Sequence, residues 1–296
     1  MTSIQKLIQE ICEEEQISFH TISKEWVLVL EKNGETHYIV GTRFDLNNYA
    51  SGRICNDKYA CFEALKYHHL PVCDHHIFYE NDDIKEVEDY FHSCHDDVVV
   101  KANGGSYGDE VFHTTTFLEL QEKMKFLFQS NHSLSISPFY SISCEYRVIV
   151  LDGEVLLIFG KQRPIVVGDG VHTIYELLCQ FNKPFFEKLE DHSSLDRVLE
   201  TGKTFEYSWQ HNISKGAIPF LPKNPSLEQK LSEIAILATQ KLNLRFVSVD
   251  IVLLENQELK ILEINSGVVT NITDYLEDGE HLAKEIYRKA ILKMFN

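Results

Sequence analysis

The sequence predicts an α+β protein built from layers of helices and sheets, and not a doubly wound parallel sheet. Helical and strand-like segments follow one another without a regular strand–helix–strand repeat. The chain has 296 residues, 44% of them hydrophobic and 25% charged, which allows a large core divided into two or three lobes. We therefore expect a short N-terminal α/β part at 1–55, a lobe with a glycine-rich loop at 56–132, and a C-terminal lobe with a candidate metal site at 133–296.

Hydrophobic periodicity predicts the elements of the N-terminal half. Ile4, Leu7, Ile8 and Ile11 recur at helical spacing, and short β-rich runs follow them. The second helix has to end before Pro71, because the residue ahead of a proline avoids the helical region. The expected helices cover residues 3–15, 57–68, 84–94 and 114–128. The expected strands cover residues 17–22, 26–31, 36–41 and 97–101.

Turn chemistry and periodicity predict the C-terminal half in the same way. Asp152-Gly153 separates two β-branched runs and is a strong signal for a two-residue hairpin turn. Residues 183–224 carry Pro, Gly, Ser and charge with weak periodicity, which is typical of a long loop region near a site. The expected strands cover residues 133–139, 145–151, 154–161, 246–254 and 258–265. The expected helices cover residues 173–181, 226–242 and 279–294.

Charge and cysteine content exclude some classes of function. The formal net charge of −17 argues against a nucleic-acid-binding protein, although a few placed cations can still form a local positive cleft. The seven cysteines are odd in number and form no Cys-x-x-Cys motif, which favours reduced thiols in a cytosol. The chain starts with a polar stretch and has no run of about 20 apolar residues, so we expect a cytoplasmic protein without a membrane partner.

Three oxygen-bearing side chains lie on the last two predicted strands. Asp250 is on the first strand, and Glu263 and Asn265 are two apart on the second, so that the latter pair shares a face. Two carboxylates and an amide oxygen suit Mg²⁺, a hard ion that also shares phosphate oxygens. The alternative is that Asp250 and Asn265 are turn or strand-end residues satisfied by backbone groups. The segment at 68–76, with its histidines and a cysteine, is a weaker candidate for zinc, because its imidazoles would point in several directions.

Two lysines and a glycine-bearing loop are candidate phosphate-binding parts. Lys101 ends a buried-type strand, and the loop after it can close backbone N–H groups on phosphate oxygens. Because the lysine precedes the loop, this is not a P-loop. Lys58 begins a helix behind Asp57, which is also explained as a plain N-cap, just as the glycines are also explained as a plain turn. The loop residues of interest are Gly104, Gly105, Ser106 and Gly108.

Further candidates for binding an anionic substrate lie between these parts. Arg147 and Arg163 flank the predicted hairpin, and a guanidinium binds carboxylate or phosphate groups with two hydrogen bonds. An inward arginine on a strand rich in Val, Ile and Leu needs an anionic partner. Asn212, with Ser214 and a flexible Gly216 close behind it, adds an amide and a hydroxyl group.

Taken in order, these parts resemble the ATP-grasp superfamily, specifically its carboxylate–amine ligases of the glutathione-synthetase and cyanophycin-synthetase kind. The resemblance covers about residues 55–270, and its most specific stretch runs from Glu145 through Arg163-Pro-Ile-Val-Val-Gly-Asp-Gly-Val-His-Thr-Ile. It implies an ATP-grasp fold, in which two α/β lobes clasp ATP. It also implies that Lys58 and Lys101 hold the ATP phosphates and that the loop at 104–108 covers them.

The same resemblance implies roles for the remaining candidates. Arg147, Arg163 and Asn212 would be the catalytic residues at the acyl phosphate or carboxylate. Asp250, Glu263 and Asn265 would hold two Mg²⁺ ions, for which Mn²⁺ can substitute. The hinge here reads Ser-Pro-Phe-Tyr, where the family usually has an acidic residue, so adenine would stack on an aromatic ring and bond to the backbone. The hinge residues expected to bind the nucleotide are Pro138, Phe139 and Tyr140.

The implied activity is the ATP-dependent formation of an amide or peptide bond through an acyl phosphate, with release of ADP and phosphate. The expected partners are a small-molecule carboxylate (an amino acid or short peptide) and an amine acceptor, with a homodimer as an open alternative. Two other functions remain open from the sequence. One is an ATP-grasp small-molecule kinase that stops at phosphoryl transfer, and the other is a non-catalytic ATP-binding protein.

Overall fold

The computed structural model describes residues 2–104, 110–270, 272 and 275–296. The helices in these ranges are α1 (Ser3–Glu14), α2 (Tyr49–Cys55), α3 (Lys58–Tyr67), α4 (Ile84–Ser93), α5 (Phe117–Leu127), α6 (Ile174–Phe181), α7 (Lys183–Phe186), α8 (Pro225–Lys241) and α9 (Gly279–Met294). The strands are β1 (Ser18–Ile22), β2 (Val27–Lys32), β3 (Glu35–Val40), β4 (Arg43–Phe44), β5 (His76–Tyr79), β6 (Val98–Ala102), β7 (Val111–Thr114), β8 (Ser133–Pro138), β9 (Ile142–Leu151), β10 (Glu154–Gln162), β11 (Ile165–Val167), β12 (Thr204–Glu206), β13 (Ile218–Phe220), β14 (Phe246–Leu254) and β15 (Leu259–Asn265).

These elements confirm the predicted α+β class, with differences in detail. The sequence did not predict α2 or the short strands β4, β7 and β11. The long loop region expected at 183–224 contains α7, β12, β13 and two short 3₁₀ turns, so it is irregular but not without structure. Within the ranges that the structure describes, no helix is long and apolar enough to cross a membrane.

The N-terminal part is a four-stranded antiparallel sheet, in the order β1-β2-β3-β4, covered by α1. Thr2 and Gln5 form a capping box that fixes the start of α1. The apolar face of α1 packs in one core with this sheet, β9, β10 and α9. At the rim of that core, Lys284 and Arg288 of α9 form ion pairs with Glu14. The N-terminal residues therefore share their core with the C-terminal lobe.

The second lobe is the sheet β5-β8-β6-β7 with α4 and α5 packed on it. The expected lobe boundary between residues 132 and 133 falls directly before β8. That strand pairs with β5 and β6, so by its hydrogen bonds it lies in the same lobe as the strands before the boundary. Helix α3, in contrast, packs in the core of the C-terminal sheet.

The C-terminal lobe is a five-stranded antiparallel sheet in the order β13-β10-β9-β14-β15. Asp152 and Gly153 form the predicted turn between β9 and β10, with φ of 48° and 79°, the left-handed values that a two-residue hairpin needs. Tyr146, Val148 and Val150 of β9 face the core formed with α3 and α8. The alternate residues of β9 face the other side, where the N-terminal part and α9 pack and where the candidate site lies.

Two neighbouring segments connect the second lobe to the C-terminal sheet. The first, at 70–75, pairs with β15, because the Cys73 amide donates to the Ile261 carbonyl at 2.9 Å. The second, at 139–141, joins β8 to β9. Tyr140 ties the two together, since its hydroxyl accepts from the Asp74 amide at 2.9 Å and donates to the Asp74 carboxylate at 3.0 Å. We call these two segments the hinge.

Candidate active site

The predicted site residues of the C-terminal lobe lie on one face of its sheet. In the antiparallel register Arg147 is opposite Asp250, and Asp250 is opposite Glu263 on its other side. Ser248 is opposite Asn265 in the next row. Residues that are paired in an antiparallel ladder point to the same face. The register therefore places a guanidinium, two carboxylates and an amide beside one another.

Asp250 is the centre of a buried ion-pair network. Its side chain is 1% exposed and accepts from Arg147 twice, from Nε to Oδ1 at 2.8 Å and from Nη2 to Oδ2 at 2.6 Å. Lys161 Nζ lies 3.4 Å from Oδ1 and forms a second, closer ion pair with Glu145. Burial alone would raise the pKa of Asp250, but the charges of Arg147 and Lys161 outweigh it and hold the pKa below its ordinary value.

Glu263 and Asn265 extend this network at the edge strand. Asn265 Nδ2 donates to Glu263 Oε1 at 3.0 Å and lies 3.5 Å from Asp250 Oδ2. The three residues singled out as metal ligands therefore converge, as the strand period predicted. Their role as ligands stays a prediction.

Lys58 and Lys101 come from different lobes and approach the same site. Lys101 is buried near the end of β6, and burial lowers its pKa while the charge of Glu263 opposes that effect. Asn103 links the end of β6 to the start of α3, because its carbonyl accepts from the Lys58 amide and its side chain accepts from the Tyr59 amide. Burial, and then the charge of Lys101, lower the pKa of Lys58 to about 8.

The glycine-bearing loop is described only at its start. Gly104 follows Asn103, and a Cβ there would be 3.9 Å from the Asn56 carbonyl oxygen. Gly105, Ser106 and Gly108, which were predicted to bind phosphate, lie outside the described residues.

Aromatic rings line the hinge where adenine was expected to bind. Phe139 stacks on His113 of β7 with ring centres 4.0 Å apart, and Trp209 lies 5.7 Å from both rings. The Tyr140 hydroxyl is engaged by Asp74, as described above. Lys260 lies over the Tyr140 ring at 5.5 Å from its centre. Pro138 is the last residue of β8 and pairs with Val98.

Arg163 and Asn212 have local partners in the structure. Arg163 follows the end of β10, and its Nη1 binds Glu206 Oε1 of β12 at 2.6 Å. The Asn212 side chain caps a 3₁₀ turn, accepting from the amide and hydroxyl of Ser214, each at 3.0 Å. Arg147, by contrast, lies inside the network around Asp250.

The sequence of this chain is similar to parts of known proteins. No protein-family model matches the chain. The bifunctional glutathione biosynthesis protein of Listeria monocytogenes (serotype 4b) is 26% identical over 211 residues, which are 62% of this chain and 27% of that protein. The chain therefore spans about a quarter of the length of this curated relative.

Solved structures align over more of the chain. The bifunctional glutathione synthetase of Pasteurella multocida covers 98% of this chain and 44% of its own, with 15% identity and a TM-score of 0.60. The D-alanine–D-alanine ligase of Bacillus anthracis covers 86% of this chain and 74% of its own, with 15% identity and a TM-score of 0.56. Both neighbours are ATP-grasp ligases. The chain has the ATP-grasp fold. The fold that the resemblance implied is thereby confirmed.

Two residues of this candidate site were not predicted from the sequence, namely Lys161 and Glu145. Both are buried, and the register places them opposite one another on the site face of the sheet. A β-bulge between Val155 and Leu157 shifts the pairing by one residue. Without the bulge the hairpin turn would place Gly160 opposite Glu145, and Lys161 would face away from the site.

The donor set of the candidate site fits a hard divalent cation. Asp250, Glu263 and Asn265 offer two carboxylates and an amide, the oxygen ligands that Mg²⁺ prefers. Ser248 and Ser266, next to them along the strands, have buried hydroxyl groups without a hydrogen-bond partner among the described residues. The part of the chain that the structure describes contains no group of three His, Cys, Asp or Glu side chains arranged for a metal, so the predicted site depends on the amide of Asn265.

Proposed function

We propose that this chain is an ATP-dependent carboxylate–amine ligase that forms an amide or peptide bond through an acyl phosphate. The observation that carries the proposal is the convergence of Asp250, Glu263 and Asn265 with Lys101 and Arg147 in an ATP-grasp fold. Each residue type has a task in phosphoryl transfer, which is mostly positioning and neutralisation of charge.

The chemistry requires an activated carboxylate, because the oxide of a free carboxylate is too poor a leaving group for attack by an amine. ATP supplies the γ-phosphoryl group, and Mg²⁺ bound to Asp250, Glu263 and Asn265 would neutralise charge on the phosphates. Lys101 and Lys58 add fixed positive charge from the second lobe and from α3, respectively. The amine then attacks the acyl phosphate, and phosphate leaves.

Arg147 is the residue best placed to act on the acyl group. Two hydrogen bonds to Asp250 fix its guanidinium, and its Nη1 also donates to the Val269 carbonyl at 3.4 Å. A guanidinium held in this way can bind the substrate carboxylate and then stabilise the oxyanion that forms on amine attack. We retain Arg163 and Asn212 as candidates for the same anionic groups when substrate is bound. In that state Arg163 would have to exchange Glu206 for the substrate.

The substrates we propose are a small carboxylate, such as an amino acid or short peptide, and an amine acceptor. The names of the relatives refer to glutathione biosynthesis and to the ligation of D-alanine, and we extend only the class of substrate to this chain. All seven cysteines are free thiols, which supports the proposal of a reducing, cytoplasmic setting.

The test is a screen of amino-acid pairs for ADP release with Mg²⁺ and ATP, followed by mass spectrometry of the products. We expect ADP and an amide product in equal amounts for at least one pair. The Glu263→Ala variant should lose ADP release by about a hundredfold or more, because a ligand for the metal is lost. Glu258→Ala, an exposed change on the same β14–β15 hairpin, is the matched control and should retain activity.

The outcomes separate the alternatives. A phosphorylated product without an amide identifies a small-molecule kinase. Nucleotide binding without ADP formation for any pair identifies a non-catalytic protein. Normal turnover by Glu263→Ala removes the metal assignment.

A further inference from the structure

Asp250 has a full complement of hydrogen-bond donors around its carboxylate. Oδ1 faces Arg147 Nε at 2.8 Å and Lys161 Nζ at 3.4 Å. Oδ2 faces Arg147 Nη2 at 2.6 Å and Asn265 Nδ2 at 3.5 Å. A carboxylate offers about four lone-pair sites, so each site here already has a donor. A metal ion that binds Asp250 has to displace one of them.

The distances indicate which of these donors a metal ion would displace. The two contacts with Arg147 are short, well paired and made by one rigid guanidinium, so they are the hardest to break. The two long contacts are those of Asn265 and Lys161. Rotation of the Asn265 amide exchanges its nitrogen for its oxygen, which turns that residue from a competitor into a ligand. Lys161 has no such option, because an ammonium group can only donate.

The position of Lys161 resembles that of a bound cation. Its side chain is buried, and its ammonium group lies between the carboxylates of Glu145 and Asp250. Glu145 is itself buried, and burial raises its pKa while Lys161 opposes that rise. If the ammonium group leaves Asp250, it therefore keeps Glu145 as its partner and remains beside the site.

We propose that the Lys161 ammonium group occupies a cation position at Asp250 in the nucleotide-free protein and yields that position to the divalent metal. The inference rests on the proposed function, because it takes Asp250 to be a metal ligand. Once released from Asp250, Lys161 is a positioning cation, held by Glu145 at the side of the transferred phosphoryl group. The exchange makes metal binding without nucleotide weak, and metal binding with a nucleotide strong, since the phosphates add ligands and accept the displaced charge.

The test measures Mn²⁺ binding to the nucleotide-free protein by electron paramagnetic resonance, with no turnover involved. Lys161→Met removes the competing cation and should tighten Mn²⁺ binding by about tenfold or more, because a buried unit charge a few ångströms from the metal is no longer present. Lys161→Arg keeps the charge and should bind Mn²⁺ no better than the wild type. Lys289→Met removes the same net charge from the surface, where Lys289 pairs with Glu154, and should leave Mn²⁺ affinity within about twofold.

A second variant protects the test against misfolding. Lys161→Met leaves Glu145 buried without its cation, whereas Lys161→Met combined with Glu145→Gln removes both charges and leaves Asp250 with Arg147. The double variant should also bind Mn²⁺ more tightly than the wild type. Unchanged or weaker Mn²⁺ binding in both variants overturns the inference.

The Mn²⁺ measurement requires no turnover, so its outcome can be separated from that of the proposed reaction. If wild-type protein makes no ADP with any substrate pair, the proposed function fails, but the effect of Lys161 on Mn²⁺ affinity is still measured. If the protein makes ADP and Mn²⁺ affinity does not depend on Lys161, the function stands and the exchange of cations is refuted.

Discussion

Removal of the Asp250 carboxylate is the most informative single change in this protein. Asp250 is 1% exposed, and it neutralises Arg147, whose side chain is only 15% exposed, as well as part of the charge on Lys161. Asp250→Ala leaves two buried cations without this partner. Breaking a buried ion pair on one side costs about 3–5 kcal/mol, because the remaining charge is uncompensated. Since the whole free energy of unfolding is about 5–15 kcal/mol, the variant should be close to the limit of stability.

Urea unfolding followed by far-ultraviolet circular dichroism measures this cost. We expect the free energy of unfolding of Asp250→Ala to fall by about 3–5 kcal/mol relative to the wild type. The double variant Asp250→Ala with Arg147→Met removes the orphaned guanidinium and should recover about half of the loss. Glu263→Ala should cost only about 1 kcal/mol, because Glu263 is partly exposed and loses one hydrogen bond from Asn265.

The contrast between these variants decides the argument. All of them should lack the proposed ligase activity, but Asp250→Ala should be destabilised the most. If the free energy of unfolding of Asp250→Ala is within about 1 kcal/mol of the wild-type value, the ion pairs of Asp250 with Arg147 and Lys161 contribute little to stability, and the reasoning is refuted. If the double variant is no more stable than Asp250→Ala alone, the loss comes from the cavity and not from an uncompensated charge.

Three further changes test the lysine, the hinge and the aromatic ring at the cleft. The pKa of Lys58 is lowered to about 8, so Lys58 is charged below that pH and loses its charge above it. The KM for ATP should therefore be constant up to pH of about 8 and rise by up to tenfold per pH unit beyond it, whereas the KM of Lys58→Arg should change little with pH. A wild-type KM that stays constant to pH of about 9.5 contradicts this role. Tyr140→Phe removes both hydrogen bonds to Asp74 and should lower the free energy of unfolding by about 1–3 kcal/mol. The same change should speed amide hydrogen exchange at 73–76 and 139–142, and unchanged exchange there means that the contact does not hold the hinge. Because the chain has two tryptophans, Trp26→Phe leaves Trp209 as the reporter that packs at the hinge, and Mg-ATP should change its fluorescence in a saturable way, while a signal that does not respond places the nucleotide elsewhere.

Local sequence signals were sufficient for most of the fold. Apolar spacing gave α1 and α8 to within two residues, and Asp152-Gly153 gave the β9–β10 turn, because each depends on neighbours in the chain. Helix α2 was missed because it is only 7 residues long, contains Ser and Gly, and is fixed by the Asn48 side chain at its N-terminus and not by periodicity. The convergence of Glu263 and Asn265 followed from the strand period.

The parts of the site that the sequence did not predict depend on register. Arg147 and Arg163 looked equivalent beside the hairpin, but β10 ends at Gln162, so Arg163 leaves the sheet and pairs with Glu206. Lys161 reaches the site face only because a bulge shifts the ladder by one residue. A bulge depends on packing against both neighbouring strands, and no local pattern in the sequence specifies it.

The arrangement of charges is compatible with the proposed binding of a polyanion by a protein of net charge −17. Buried cations must be neutralised when no nucleotide is present, or the fold would not tolerate them. Here the neutralising groups are Asp250 and Glu145, and the charge of Glu263 acts in the same direction on Lys101. Two of these three acids are also the predicted metal ligands. In the proposed function a metal bound to them would take up their negative charge, and Lys161 and Lys101 would become available to the phosphates. On this view the acids and cations of the cleft form one exchangeable set, so that the stability of the empty protein and the binding of metal and nucleotide depend on the same few contacts.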